Sequence, residues 1–295
     1  MAIDIGPGEL YSLGCALAWA TAVILFKKSG ESLEPFALNL LKNVIGLVLM
    51  LATLAVLSPR WPAIPSGALL LTLVSGLLGI GLGDTLYLRA LNALGAGRMG
   101  VAQTMYSPGV ILLSAIFLSE RLHLWQFAGV ALVLIGIAVA TWQAADGVDT
   151  KHLRAGVALA GIAVFAMAAG VVMVKPLLEH YDFFWIVMLR FVGGLLGMLP
   201  VIAWQRSGPA LVNALRGVRH WPQIVAGSVI GEYLSMMLWL AGYKYTQASI
   251  AAVLNELAAV FIIVLAALVL KEQVTWRQVA GSALAVGGVM LVVLR

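Results

Sequence analysis

Long apolar runs separated by short polar connections cover almost the whole chain. Each run is about twenty residues long, which is the length of helix needed to cross the hydrocarbon core of a bilayer. The runs lack the alternating pattern of barrel strands. Because a segment in lipid must satisfy its backbone hydrogen bonds internally, each run is predicted to be a helix. The ten predicted spans cover residues 8–27, 36–57, 68–89, 98–118, 124–142, 154–174, 183–204, 222–243, 247–270 and 275–294.

The second half of the chain repeats the first. The stretch SERLHLWQFAGVALVLIGIAV at 119–139 aligns with KEQVTWRQVAGSALAVGGVML at 271–291, and polar residues match as well as apolar ones. Upstream, Lys42 aligns with Arg190. The repeat unit therefore holds five spans.

An odd number of spans per unit forces the two units into opposite orientations. We therefore predict an all-α membrane protein with ten transmembrane helices arranged as two inverted five-helix repeats, residues 1–148 and 149–295. Secondary transporters have this architecture, and their sites lie at the interface between the repeats, near the middle of the bilayer.

The composition supports a lipid environment and narrows the function. Hydrophobic residues make up 62% and charged residues 11% of the 295 residues, whereas a soluble domain averages about 25% charged residues. A lone cysteine, Cys15, excludes an intramolecular disulfide and a zinc cluster. The net charge of +5 is spread over many loops without a basic patch, which argues against nucleic acid as a partner. No cofactor or metal ion is expected.

Two matched segments carry a family resemblance: SPGVILLSAIFLSERLHLWQFAGVALVLIGI at 107–137 and LAAVFIIVLAALVLKEQVTWRQVAGSALAVGGV at 257–289. With the five-plus-five repeat, they make the chain similar to the ten-helix EamA-like branch of the drug/metabolite transporter superfamily. Pro108 matches the family's mid-helix proline, whereas Val260 stands at the aligned position of the second repeat, which removes the usual reason for a kink there.

The resemblance implies secondary transport of small metabolites, often the export of amino acids or drugs. It also implies cytoplasmic termini. The distribution of Lys and Arg over the predicted loops instead places both termini outside, so the orientation of the chain stays open at this point.

Five ionisable residues lie inside predicted spans, where each costs roughly 2.5–3.5 kcal/mol on insertion scales. They are functional candidates by default, because such residues face the bundle interior or a cavity. The bases, Lys42 and Arg190, and the acid Asp84 are also candidates for structural ion pairs. The acids are Asp84, Glu232 and Glu256.

Glu232 and Glu256 are the stronger functional candidates, because neither has an acid at its repeat-related position. Those positions are Ile80 and Thr104. Burial disfavours the charged form of a carboxyl, so a buried glutamate that is reached alternately from both sides can carry a proton. We expect proton coupling at Glu256, Glu232 or Asp84. No interrupted helix is evident in the sequence, so no sodium site is predicted.

Polar and aromatic residues near these acids predict a central cavity. An aromatic ring near an acid suits a substrate that carries an ammonium group. Tyr243 lies close to the end of a span and is expected in the interfacial aromatic belt. The predicted substrate-binding residues are Trp19, Gln103, Tyr106, Trp239, Asn255 and Glu256.

Together these patterns predict a multi-pass transporter of the inner (plasma) membrane that exports small metabolites such as amino acids by alternating access. We expect a monomer or weak dimer whose partners are a small-molecule substrate and the lipid bilayer. Efflux of drugs or other cationic compounds is the alternative, and a passive channel would differ by being indifferent to a pH gradient. A remote alternative is an intramembrane aspartyl protease, since GLGD at 81–84 fits its short motif and Asp182 offers a second aspartate.

Overall fold

The computed structural model describes residues 5–29, 33–58, 60–103, 105–141, 150–204, 218, 221–269 and 275–293. No strand occurs among these residues, and nearly all of them are helical, so the all-α prediction is confirmed for this part of the chain. Thr104, the repeat partner of Glu256, lies outside the described residues, as do most of the two longest predicted connections, 143–153 and 205–221.

The first half contributes five helices, of which the third has three consecutive segments. A π-helical segment separates its two α-helical parts. The helices are α1 (Pro7–Ser29), α2 (Pro35–Leu57), α3 (Ser66–Gly76, Leu77–Gly83 and Asp84–Gln103), α4 (Tyr106–Phe117) and α5 (Leu124–Thr141).

The second half repeats this organisation. Its third helix again contains a π-helical segment between two α-helical parts, and its fourth is divided in two. The helices are α6 (Thr150–His180), α7 (Phe183–Trp204), α8 (Trp221–Gly227, Ser228–Leu234 and Ser235–Tyr245), α9 (Ala248–Asn255 and Leu257–Val269) and α10 (Trp276–Val293).

These helices account for all ten predicted spans. Seven of the described helices are long and apolar enough to cross a membrane. Three shorter apolar helices, Tyr106–Phe117, Leu124–Val139 and Val279–Val292, occupy the remaining predicted positions. Large apolar side chains such as Val56, Phe117 and Leu268 are exposed on the outside of the bundle, as expected for a multi-pass protein whose outer surface meets lipid rather than water.

Two predicted boundaries need correction. The predicted start of the fourth span, residue 98, falls inside the last segment of α3, which continues to Gln103. The residues between the predicted third and fourth spans are rich in Ala and Leu, which favour helix regardless of burial. The helix therefore continues through a segment that was predicted to be a connection. The predicted span 154–174 is likewise too short, since α6 runs from Thr150 to His180 and its charged last turns remain helical.

The expectation of uninterrupted helices is wrong at repeat-related places. The π-helical segments Leu77–Gly83 and Ser228–Leu234 occupy corresponding parts of α3 and α8. In α9 the regular pattern stops at Glu256, whose amide bonds the carbonyl of Val253 at 3.2 Å in a tighter turn. The second repeat therefore breaks its fourth helix without a proline at Val260.

The inverted relation of the repeats is visible where α5 packs against α10. A methyl group added at Gly129 would lie 2.7 Å from the carbonyl oxygen of Gly288, and one at Gly136 would lie 2.5 Å from that of Gly281. In the repeat alignment Gly129 matches Gly281 and Gly136 matches Gly288. Gly129 thus contacts the repeat partner of Gly136, and Gly136 contacts the repeat partner of Gly129. This reciprocal contact is the pattern that a two-fold axis produces.

Candidate functional site

A cavity lies between the two halves of the bundle, lined by side chains from α1, α3, α4, α6, α7, α8 and α9. It borders the interruption of α9 and the start of α4, and paired interruptions of this kind in inverted repeats point to a binding site. Nine of the ten sequence-predicted site residues line it: Trp19, Asp84, Gln103, Tyr106, Arg190, Glu232, Trp239, Asn255 and Glu256.

The tenth residue, Lys42, lies behind this wall and contacts it. Its ammonium group bonds Asp84 Oδ2 at 2.6 Å and also Glu232 Oε2. Lys42 and Glu232 are almost completely buried. Two carboxylates therefore share one cation, an arrangement that offsets one of the two negative charges and ties α2, α3 and α8 together.

Glu256 is compensated differently. Its Oε1 accepts a hydrogen bond from the Ser107 hydroxyl at 2.6 Å and a longer one from the Ser107 amide at 3.3 Å. Glu256 is 3% exposed, and no ion pair to it occurs among the residues that the structure describes. The interruption of α9 thus presents to the cavity a carboxyl that is held by neutral donors.

Aromatic side chains form two groups in the cavity wall. Trp19 meets Tyr87 edge to face, with 6.4 Å between the ring centroids, and the Tyr87 hydroxyl donates to Gln103 Oε1 at 2.6 Å. Tyr87 was not among the predicted residues. Its spacing of three residues from Asp84 in a helix was the signal that could have identified it.

The second aromatic group corrects the prediction for Tyr243. This residue is completely buried rather than interfacial. Its hydroxyl pairs with that of Tyr106 at 2.7 Å, and its ring meets Trp239 edge to face at 5.4 Å between centroids. The interfacial prediction was based on its position near the end of a span. Contacts of the end of α8 with α4 and α6 instead bury Tyr243.

Arg190 is also placed differently from its predicted role as an ion-pair residue. It is completely buried and lines the cavity, yet the described residues provide no ion pair to it. One of its nitrogens, Nη1, donates to Ser75 Oγ and to the carbonyl of Gly170. The guanidinium lies 5.5 Å from the centroid of the Trp239 ring.

Glu120 fixes the start of α9 at one end of the bundle. Its carboxylate accepts hydrogen bonds from the amides of Ala248 at 2.8 Å and Ser249 at 3.0 Å. These are amides that a helix start leaves without internal partners. A carboxylate there is also favoured by the helix dipole, so a residue of the first repeat holds α9, the fourth helix of the second repeat.

The same end carries a buried lysine from α6. Lys175 pairs with Glu179 at 2.7 Å and donates to the carbonyls of Tyr243 at 2.9 Å and Thr246 at 3.0 Å. Lys175 thereby satisfies carbonyls that the end of α8 leaves free. Together with the Tyr106–Tyr243 pair, these contacts join α4 and α6 to the end of α8, where α8 meets α9.

The geometry does not assemble an aspartyl protease site in the described part of the chain. Asp84 is bonded to Lys42, and the acid that shares this cation is Glu232. Asp182 accepts from the amide of Trp185 and from the Ser58 hydroxyl at the start of α7. The two aspartates thus have separate structural contacts, whereas the protease chemistry needs them to share a proton.

Comparison with known proteins agrees with this architecture. The model of the EamA-like transporter family matches residues 6–142 and 154–294. A protein of Archaeoglobus fulgidus named an uncharacterized transporter is 24% identical over 278 residues, covering 93% of this chain and 94% of its own length.

Two further relatives have more specific names but match less of the chain. A human UDP-N-acetylglucosamine transporter is 26% identical over 193 residues, covering 63% of this chain and 55% of its own length. A protein of Streptantibioticus cattleyicolor named a probable terminal-alkyne amino-acid exporter is 35% identical over 86 residues, which is 29% of either chain. One solved crystal structure shares the fold with a TM-score of 0.76 and 19% identity, covering 96% of this chain and 95% of its own.

Proposed function

Because the chain belongs to the EamA-like transporter family, we propose that it is a proton-coupled exporter of small metabolites, with amino acids as the leading substrate class. It works in the inner (plasma) membrane by alternating access around the cavity between its two repeats. The observation that carries the proposal is Glu256, a buried carboxyl in the cavity wall with neutral hydrogen-bond donors and no described cation beside it.

Glu256 suits an exchange of proton for substrate. When its carboxylate is charged, it attracts the ammonium group of a substrate in a site where water is scarce and electrostatic attraction is strong. When it is protonated, that attraction is lost and the substrate dissociates. The proton and the substrate's ammonium group therefore compete for the Glu256 carboxylate. A proton that arrives from one side of the membrane releases the substrate to that same side.

The Lys42 cluster is assigned a different part. Asp84 and Glu232 are both bonded to the buried ammonium of Lys42, so releasing either acid disturbs three helices. The cluster therefore holds the bundle together while Glu256 cycles. In this proposal, the polar contacts of Glu120 and Lys175 close one end of the cavity. They would have to separate for the cavity to open at that end.

The test uses purified protein reconstituted in vesicles, with Glu256→Gln as the variant. We expect the variant to lose substrate accumulation driven by a pH gradient. It should still exchange labelled for unlabelled substrate at equal pH, but only at higher substrate concentrations, because glutamine resembles the protonated acid. Glu34→Gln is the matched control, because Glu34 is exposed at the start of α2, away from the cavity. Undiminished pH-driven counterflow in the Glu256 variant would remove this residue from the mechanism.

Efflux of cationic compounds is the second candidate. It is favoured by the rings of Trp19, Tyr87 and Trp239 in the same wall as Glu232 and Glu256, because aromatic faces attract organic cations. The two candidates differ in whether the substrate must also carry an acidic group.

A further inference from the structure

Arg190 is a buried cation with unused hydrogen-bonding capacity. Its Nη1 bonds Gly170 O at 3.0 Å and also Ser75 Oγ. Its other two nitrogens, Nε and Nη2, are buried without a hydrogen-bond partner among the described residues. Nε–H and Nη2–H lie on the same edge of the planar guanidinium, which is one of the edges that binds a carboxylate through two parallel hydrogen bonds.

The repeat relation explains why Arg190 has no acid. In the first repeat Lys42 reaches across to α8 and bonds Glu232. Arg190 matches Lys42 and approaches α3, where the residue that matches Glu232 is the apolar Ile80. The acid that would neutralise Arg190 by symmetry is therefore missing, and an unpaired buried cation is strongly unfavourable unless an anion reaches it.

The free edge of Arg190 is closed off in this conformation, because its nitrogens are buried, and a ligand reaches it only when the wall of the cavity moves. Both Arg190 and Asn255 line the cavity. A Cβ atom added at Gly79 would lie 3.1 Å from Arg190 Nη2, so the π-helical segment of α3 brings only backbone to this edge. Within the described part of the chain, neither the amide nitrogen nor the amide oxygen of Asn255 is hydrogen-bonded, and Asn255 precedes Glu256 in the same wall.

We propose that Arg190 binds a carboxylate of the transported substrate through Nε and Nη2, with Asn255 as a second polar contact. This inference rests on the proposed transport function and narrows it. The substrate is a small zwitterion whose carboxylate meets Arg190 and whose ammonium is attracted to Glu256. Cationic compounds without an acidic group then leave Arg190 uncompensated and bind weakly.

The competing explanation is purely structural. Glu232 Oε1 is also buried without a partner, so a side-chain rotation that paired it with Arg190 would satisfy both groups without any substrate. In that case the substrate's carboxylate would be irrelevant to binding, and Arg190 substitutions would change stability alone.

The experiment compares amino acids with the amines that lack only the carboxylate. Tryptophan with tryptamine and leucine with isoamylamine are the probes, measured by thermal shift in detergent and by exchange in vesicles. The proteins are the wild type, Arg190→Gln, Arg190→Lys and the control Arg60→Gln at an exposed position. We expect the wild type and the control to bind at least one amino acid about 30-fold or more tightly than its amine, as for a buried charge pair.

In Arg190→Gln this preference should fall to within a few-fold, through weaker amino-acid binding and amine binding that is retained or tighter. The retained amine binding shows that the variant is folded. Arg190→Lys keeps the charge but loses the two-point geometry, so we expect an intermediate preference of about 10-fold. If Arg190→Gln does not fold, the lysine variant and the wild-type preference still decide the matter.

Three results overturn the inference. The first is a wild type that binds amines as tightly as amino acids, and the second is an Arg190→Gln protein that keeps the full preference. With either of these results, pH-driven exchange of the probes would still support the proposed transport function. The third is a wild type that neither binds nor exchanges any probe, which removes the amino-acid function together with the inference.

Discussion

Glu232 of α8 and Glu256 of α9 face the same cavity, but the protein surrounds them with different partners. Glu232 shares the ammonium of Lys42 with Asp84, whereas Glu256 is held by the hydroxyl and amide of Ser107. Releasing the Glu232 carboxylate from this cation is costly, because the buried carboxylate loses its counter-charge and Lys42 keeps only Asp84 as a partner. A carboxyl held by a serine keeps its hydrogen bond in either protonation state, since the hydroxyl can donate or accept.

The difference teaches that an acid inside a membrane span is not by itself evidence of proton transfer. Both glutamates occupy central positions of apolar helices, and neither has an acid at its repeat-related position. What separates them is the presence of Lys42 beside one of them, which depends on how α2 packs against α8.

The largest effect is expected at the shared cation. Lys42→Met leaves Asp84 and Glu232 buried without a counter-charge, so we expect a loss of about 3–5 kcal/mol of stability. Thermal unfolding in detergent measures it, with Lys42→Arg as the charge-preserving control. A methionine variant as stable as the wild type would show that the cluster contributes no net stability, and the contrast with Glu256 would then disappear.

A smaller effect is expected at the serine. Ser107→Ala removes the 2.6 Å hydrogen bond to Glu256 and should reduce stability by about 1–2 kcal/mol, less than Lys42→Met, because no charge is left unpaired. The same substitution made in the Glu256→Gln protein should cost less, since a neutral amide accepts a weaker hydrogen bond than a carboxylate. Equal losses in both backgrounds would mean that Ser107 does not act on the charge of Glu256.

The smallest effect calibrates the other two. Tyr243→Phe removes a hydrogen bond between two neutral hydroxyls, Tyr106 and Tyr243, and should reduce stability by about 1 kcal/mol. Tyr11→Phe, at an exposed position of α1, is the matched control and should be neutral. If Tyr243→Phe reduces stability as much as Lys42→Met does, the Tyr106–Tyr243 pair contributes more to the stability of this end of the bundle than a single hydrogen bond.

The sequence predicted the helices well because lipid imposes a simple rule on length and apolarity. All ten spans and the repeat could be read from the pattern, and nine of the ten proposed site residues lie in one cavity. Residues whose helices cross near the centre of the bundle are brought together by almost any arrangement that buries polar groups.

Details that depend on the pairing of particular helices could not be predicted. Arg190 resembled a structural ion-pair residue because Lys42 is its repeat partner. The alignment placed the apolar Ile80 opposite Glu232, but only the packing of α7 against α3 shows that Arg190 approaches this part of α3. Tyr243 was assigned to the interface because distance along a helix does not reveal that its neighbours bury it. The π-helical segments were missed because they alter hydrogen bonding while leaving the apolar pattern unchanged.

The reciprocal contact of Gly129 with Gly288 and of Gly136 with Gly281 has a consequence for ancestry. Two copies of a single five-helix chain, inserted in opposite directions, would form this contact automatically, since each copy would present the same pair of glycines to the other. In such a homodimer a change at either glycine would have altered the interface twice. Because both halves stand in one chain, each can vary separately, and the acid Glu232 at the position related to the apolar Ile80 is a difference that a symmetric homodimer could not have.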